Sequence, residues 1–273
     1  MNKRIYDHPE EYEAAFSFRD IKHEVDVIEK CVELHSRILV RRTLELGCGP
    51  APHSLELMRR GYSYIGVDLN DRMLQYAKAK AKAKGFSPVL VQADMSRFEL
   101  QDHVDFALVL LGSLYVKNAE EFLSHLSCVA NALNPGGLYL LDWCIEFNPL
   151  LQRTENWMIQ ADRYRIEASY LMQNVDPATR TFDEIIRLRI IGENDVQTTL
   201  EEVSRRHAII PDEFVGSVEK SGQFEFIGWW NNWNLDEPLD KHCPQAREGK
   251  IERPIALLRR LGTERLSRTT DST

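Results

Sequence analysis

The stretch RTLELGCGPA, residues 42–51, and the run YIGVDL, residues 64–69, decide the fold. The first is an apolar run (Thr43, Leu44, Leu46) that ends on two glycines, Gly47 and Gly49. The second (Tyr64, Ile65, Gly66, Val67) ends on the carboxylate of Asp68. Two strands ending this way set a bare-backbone turn and an acid at one rim of an open α/β sheet, where ligands bind. Glycines let a ligand approach the main chain, and a carboxylate accepts hydrogen bonds from two ribose hydroxyls. The pattern suits a nucleoside. A dinucleotide fingerprint needs G-x-G-x-x-G/A. Counted from Gly47, its last position is Pro52, which disfavours a nicotinamide oxidoreductase. No G-x-x-x-x-G-K-[ST] string occurs, so a P-loop is excluded as well.

A chain of 273 residues has room for one large α/β domain carrying an insertion. Its formal net charge of −8 argues against a nucleic-acid groove, which draws on clustered Lys and Arg. Five cysteines (Cys31, Cys48, Cys128, Cys144, Cys243) are scattered with no C-x-x-C, and the eight histidines show no metal spacing. No metal site is expected, and a reducing cytoplasm suits the free thiols. No apolar stretch reaches 18 residues and no signal-like N-terminus stands out, so neither membrane nor export is expected.

Helical spacing of Val25, Ile28, Val32 and His35 predicts one or two helices over residues 8–38. Strands are expected at 43–46, 63–67, 88–92, 104–111 and 138–143. Between them, Pro52 fits the first turn of a helix and Asn70 the N-cap of the next. That second helix carries AKAKAKAK, whose lysines spread around the helix as a solvated surface. A helix over about 118–133 should stop at Asn134-Pro135-Gly136-Gly137. Strands alternating with helices imply a parallel, doubly wound sheet with the strand ends on one rim. Past Pro149 the pattern alternates at 157–171, 179–191 and 196–209, separated by turn signals at Asp176-Pro177 and Gly192-Glu193-Asn194-Asp195. This reads as an inserted antiparallel meander. A short helix at 211–221 and strands at 224–229 and 255–258 follow, and SRTTDST closes the chain as a frayed tail.

The string E-L-G-C-G-P-A, an acid two residues before the glycine turn, resembles the first motif of class I S-adenosylmethionine (SAM)-dependent methyltransferases, with Ala51 at the frequent third glycine. Resemblance implies a Rossmann-like, doubly wound, mostly parallel sheet of about seven strands, with an inserted antiparallel β meander and an N-terminal helical lid. The corresponding division is a lid (1–41), a SAM-binding core (42–148), a substrate subdomain (149–210), a return to the core sheet (211–262) and a tail (263–273). It also implies SAM as cofactor, held by Glu45, Gly47, Cys48, Gly49, Asp68, Leu69, Asp94, Met95 and Leu110. Leu110 and Leu111 would lie behind the cofactor. Tyr12 and Arg19-Asp20 resemble the lid of small-molecule N- and O-methyltransferases, including sugar N-methyltransferases. By that likeness Tyr12 faces the sulfonium or substrate and Arg19 the cofactor carboxylate. Candidates near the methyl group are Tyr12, Tyr115 and Glu146. Trp229, Trp230 and Trp233, interleaved with Asn231, Asn232 and Asn234, offer stacking faces and amides for an acceptor, or else close the core between sheet and insert. His207, in an alternating strand, reads as structural. The expected partner is a small molecule, with neither nucleic acid nor membrane, and a homodimer is compatible. Open alternatives are a nucleic-acid or protein methyltransferase, disfavoured by the acidic balance and because L-G-S-L-Y stands where N-P-P-Y or D-P-P-Y would, and a SAM-binding protein that does no methyl transfer or an enzyme that uses SAM for a non-methylation reaction.

Overall fold

The computed structural model describes residues 4–161, 164–192, 196–241 and 250–262. The tail 263–273, Cys243 and the turn residues Glu193–Asp195 lie outside them. The N-terminal segment forms a 3-10 turn (Ile5–Asp7), helix α1 (Pro9–Ala15) and helix α2 (Ile21–His35), the last capped by the Asp20 carboxylate on the His23 amide. Alternating strands and helices follow: β1 (Arg42–Leu46), α3 (Pro52–Arg59), β2 (Ser63–Asp68), α4 (Asp71–Ala83), β3 (Val89–Gln92), β4 (Val104–Val109), α5 (Ala119–Ala132) and β5 (Leu133–Asp142). Asn70 caps α4 and Asn118 caps α5 through their side-chain oxygens. Four antiparallel strands come next, β6 (Arg153–Gln160), β7 (Tyr164–Asp176), β8 (Thr181–Gly192) and β9 (Gln197–His207), then α6 (Pro211–Ser221), β10 (Phe224–Trp230) and β11 (Ile255–Arg260).

The main sheet has the order β10-β11-β5-β4-β1-β2-β3, parallel from β5 to β3 and antiparallel at β10 and β11. Every residue of β4 is buried, including Asp105, as suits a mostly apolar strand covered on both faces. Helices α2, α3 and α4 pack through Val25, Ile28, Leu57 and Leu74 on one face, and α5 and α6 through Phe122, Leu126 and Phe214 on the other. The four strands β6-β7-β8-β9 form a separate sheet. Its inner face (Ile166, Ala168, Ile186, Leu188, Leu200) closes on Ile5 and Ala15 of the N-terminal segment.

Two expectations are corrected. Asn134–Gly137 is not a turn ahead of a strand: β5 already runs from Leu133, with a register shift against β4 between Val104 and Phe106. A Cβ on Gly137 would lie 2.6 Å from the Asp105 carbonyl oxygen, so a glycine lets the two backbones meet here. Residues 157–171 are not one strand. They hold the end of β6 and the start of β7, joined by a hairpin closed by the Ala161 amide on the Tyr164 carbonyl (2.9 Å). The inward positions change from odd (Trp157, Ile159) to even (Tyr164, Ile166, Ala168) between the two strands, but no glycine or proline in the sequence marks the connection.

Candidate functional site

The parallel strands end on one rim, and there the glycine turn leaves β1. Gly47 (φ +64°), Gly49 (φ +52°) and Ala51 (φ +48°) all take the left-handed conformation. Only glycine reaches it without a Cβ penalty. A Cβ on Gly47 would sit 3.0 Å from Met95 Cε and from Ser113 Cβ, so this glycine keeps a crevice open between the β1, β3 and β4 ends. Pro52 opens α3, where its missing N–H costs nothing. The Asp68 carboxylate, at the end of β2, accepts the Gly49 amide (2.7 Å) and the Asn70 amide (2.8 Å), tying the turn to the neighbouring strand. Burial holds this carboxyl above the ordinary aspartate range, against those hydrogen bonds.

A cleft of about 300 Å³ lies against the turn. Its floor is Glu45, Gly47, Cys48 and Gly49 with Leu110 and Leu111. The N-terminal segment roofs it with Tyr12, Phe16, Ser17 and Arg19. That segment is well anchored. Glu13 on α1 bonds the Tyr76 hydroxyl (2.8 Å) and the Lys80 ammonium, and Lys80 also donates to the Pro50 carbonyl (2.7 Å). Trp157 of β6 donates its indole N–H to the Ala15 carbonyl (2.7 Å), and its ring meets Phe16 at 5.5 Å.

Behind Arg19 stands a buried chain of charges. The Arg19 side chain is 6% exposed and grips Glu24 through Nε (3.3 Å) and Nη2 (2.8 Å). Glu24 also meets His53 Nε2 (2.7 Å) and Arg253 Nη1 (2.7 Å). Arg253 Nη2 goes on to Asp142 (2.8 Å), whose same oxygen accepts the amide of Leu111 in the cleft floor (2.8 Å). The roof and the β4 end are thus linked through alternating cations and anions. Glu45, fully buried, accepts the Tyr64 hydroxyl (2.6 Å), and burial pushes its carboxyl up. Burial likewise pushes the Cys48 thiol well up, so it packs as a neutral group. Glu24 escaped the sequence reading, although it shares the apolar helical spacing of Ile28 and Cys31. An acid on a buried stripe was the available signal.

Of the residues singled out above, Tyr12, Arg19, Glu45, Gly47, Cys48, Gly49 and Leu110 line the cleft together. Asp68, Asp94 and Met95 continue the rim along β2 and β3. Asp94 accepts the Ser96 amide (2.8 Å) and hydroxyl (2.6 Å), and although burial opposes it, these bonds hold its carboxyl below the usual value. Leu69 is 67% exposed at the outer lip. Tyr115 lies outside the cleft lining, its hydroxyl on Glu184 (2.5 Å) and near that of Tyr6 (3.2 Å). Glu146 is turned to Arg153 (2.9 Å) at the start of β6 and does not line the cleft. The tryptophans do not gather on it either. Trp229 is sealed among Phe147, Phe214 and Phe226. Trp230 lies against His35 with the two rings tilted (centroids 5.8 Å apart), and Trp233 donates to Asp142 (2.9 Å). His207 bonds Glu213 (2.8 Å) at the end of β9. Among the described residues, no three His, Cys, Asp or Glu side chains group as a metal site, and no helix is long and apolar enough to cross a membrane.

Residues 43–137 match the family described as a methyltransferase domain. A methyltransferase-named protein of Geobacillus sp. (strain WCH70) is 29% identical over 116 residues, covering 42% of this chain and 47% of that one. Another, YqeM of Bacillus subtilis (strain 168), is 31% identical over 104 residues, covering 37% of this chain and 41% of its own. The matched stretch therefore spans less than half of either curated relative. Solved structures match nearly the whole chain. A SAM-dependent methyltransferase from Clostridium acetobutylicum superposes with a TM-score of 0.73 at 21% identity, covering 92% of this chain and 96% of that one. An amino pentose methyltransferase from Micromonospora echinaspora, solved with SAM bound, gives 0.68 at 18% identity over 91% and 96%. A sugar N-methyltransferase from Streptoalloteichus sp. gives 0.70 at 17% identity over 92% and 93%. The chain has the class I methyltransferase fold, with a seven-stranded mostly parallel sheet and a separate four-stranded antiparallel one.

Proposed function

We propose that this protein is a SAM-dependent methyltransferase that moves the sulfonium methyl group to a nucleophilic atom of a small molecule. The observation that carries this reading is the joint placement of the open glycine turn, Asp68 on the next strand and a buried arginine on the roof. These residues suit each part of SAM. Arg19, held by Glu24, offers a guanidinium to the methionyl carboxylate. Gly47 leaves unfilled the crevice that a Cβ would occupy. Asp68 is a charged acceptor for the ribose hydroxyls, whose hydrogen bonds are about twice as strong as neutral ones. Met95, Leu69 and Asp94 lie along the rim for the adenine, apolar groups for its face and an acid for its amino group.

The cofactor supplies an already activated methyl group. The chain then has to position the acceptor and exclude water. Orientation contributes roughly 7–11 kcal/mol, against about 3–5 kcal/mol for a general base acting by about 10²–10⁴-fold. Tyr12, in the roof, presents its ring to the cationic centre; burial holds its phenol above the ordinary value, so it stays neutral. A small acceptor is favoured because the N-terminal segment roofs the cleft, and the structural neighbours above include methyltransferases of sugars. The free, buried thiols Cys31 and Cys48 favour a reducing cytoplasm.

Calorimetry tests the reading. SAM and its demethylated product SAH should each bind, whereas NAD and ATP should not. NAD binding as tight as that of SAM would sink it. Incubation of labelled SAM with metabolite extracts should release SAH and identify the acceptor.

A further inference from the structure

The turn after β3 carries Asp94 and Met95, and one side of α5 holds it from behind. The Arg97 amide closes the turn on the Asp94 carbonyl (2.9 Å), and the next two carbonyls go to α5. Ser124 and Cys128 both donate to the Ser96 carbonyl (3.1 and 3.2 Å), and His125 Nδ1 meets the Met95 carbonyl (2.9 Å). The residue gripped in this way reaches the glycine turn: Met95 Cε lies 3.0 Å from where a Gly47 Cβ would stand. Asp94 is divided between two tasks. Its Oδ1 takes both Ser96 donors, and among the described residues no hydrogen bond reaches Oδ2.

His125 is fully buried and does not line the cleft. Its Nε2 meets the hydroxyl of Tyr139 on β5 (2.7 Å), and Phe122 lies nearly parallel to its ring at 6.5 Å. Burial pushes the imidazole down to about 4, outweighing the Met95 carbonyl, so it is neutral with a single N–H. A carbonyl only accepts, which places that hydrogen on Nδ1. Nε2 then accepts from the Tyr139 hydroxyl. Tyr139 selects the tautomer, and the tautomer holds the Met95 carbonyl.

We infer that His125 is a positioning residue for the cofactor's base. The chain Tyr139–His125–Met95 fixes the turn on which Asp94 Oδ2 meets the 6-amino group and Met95 the ring face. Preference for a 6-amino over a 6-oxo purine therefore depends on a residue that touches no ligand. This rests on the methyl-transfer reading above. The physical reason is the Met95 carbonyl. A buried backbone acceptor without a donor is costly, so once His125 lets go the turn must swing until that carbonyl is paired again. Asp94, the preceding residue, moves with it.

The test uses the full chain, with calorimetric Kd values for SAH and for its analogue bearing a carbonyl oxygen in place of the 6-amino group. Wild type should bind SAH about 10–10²-fold more tightly, the range of one hydrogen bond to a charged acceptor. His125→Leu, which fills the space without a donor, should bring that ratio toward one. His125→Asn sets its amide nitrogen where Nδ1 stands and should restore most of it. Tyr139→Phe removes only the hydroxyl and should also lower the ratio, which keeps the test open where the leucine variant fails to fold. Since the effect runs through Asp94, adding His125→Leu to Asp94→Ala should change the ratio no further. Nitrogen NMR of labelled histidine should place the His125 hydrogen on Nδ1. A ratio unmoved in His125→Leu and Tyr139→Phe, even with a lowered Tm, marks a merely structural histidine and would overturn the inference. So would a hydrogen on Nε2, or wild type that binds both analogues equally. Failure of wild type to bind SAH would instead overturn the methyl-transfer reading itself.

Discussion

Glu24→Gln is the sharpest perturbation of the cleft's support. Glu24 is 2% exposed, and its two oxygens meet Arg19, Arg253 and His53 at distances between 2.7 and 3.3 Å. Glutamine keeps the shape, removes the charge and turns one acceptor into a donor facing other donors. Two buried guanidinium groups then lose a counter-ion. Removing one partner of a buried pair costs about 3–5 kcal/mol, whereas an exposed pair is worth about 0.2–1 kcal/mol. The exposed pair Lys30–Glu33, with side chains 51% and 68% accessible, serves as the control. At roughly 2–4 °C per kcal/mol for a domain near this size, Tm should fall on the order of 10 °C, while Lys30→Ala should barely move it. Thermal melts followed by circular dichroism measure both. The gap should also depend on pH. Burial pushes the Glu24 carboxyl up, but hydrogen bonds from His53, Arg19 and Arg253 outweigh that and hold it well below the ordinary range. A carboxyl depressed in the folded state stabilises fully above its unfolded value, near 4.3, and loses that contribution as pH falls through the folded value. The difference between wild type and variant should therefore hold from neutrality to about pH 5 and shrink below it. A Glu24→Gln protein melting within about 2 °C of wild type at neutral pH would refute the argument.

Asp68→Ala should raise the calorimetric Kd for SAH at least about 10²-fold, since it removes two hydrogen bonds to a charged group at about 1.5–3 kcal/mol each; an unchanged Kd in a native-like variant would refute the ribose role. Because burial holds the Asp68 carboxyl above its ordinary value, SAH affinity should begin to fall at a higher pH than a normal aspartate would dictate, and an affinity flat down to about pH 4 would contradict this. Gly137→Ala puts a methyl 2.6 Å from the Asp105 carbonyl oxygen and 3.0 Å from that of Asn134, and should cost about 1–3 kcal/mol in denaturant titrations with little effect on SAH binding. Trp229→Ala should cost about 3–5 kcal/mol because its indole fills the core, and a variant that instead loses acceptor affinity at unchanged stability would restore it to the substrate side.

The parts of the fold that were legible in sequence are those written locally. The glycine turn, the Pro52 helix start, the Asn70 cap and the Asp68 strand end each depend on a few adjacent residues whose chemistry permits one conformation. The β6–β7 hairpin was not legible, because Ala161 to Tyr164 contains no glycine or proline to mark a turn. Long-range pairing was hidden for a different reason. Arg253 meets Glu24 across 229 positions, and no local rule selects that partner. Even so, the acids themselves left a trace. Glu184 falls in the inward series Phe182, Glu184, Ile186, Leu188, where an acid on a buried face asks for a partner.

Strand β11 is the last strand among the described residues, yet it lies inside the sheet between β10 and β5. During synthesis from the N-terminus, β5 must wait as an uncovered edge through more than a hundred residues, until Ile255–Arg260 has left the ribosome. An apolar strand held open that long is a template for pairing with another nascent chain. The intervening meander, whose strands pair only with sequence neighbours, can form in the interval. Its early closure over the N-terminal segment gives the emerging polypeptide a compact body before the sheet is sealed.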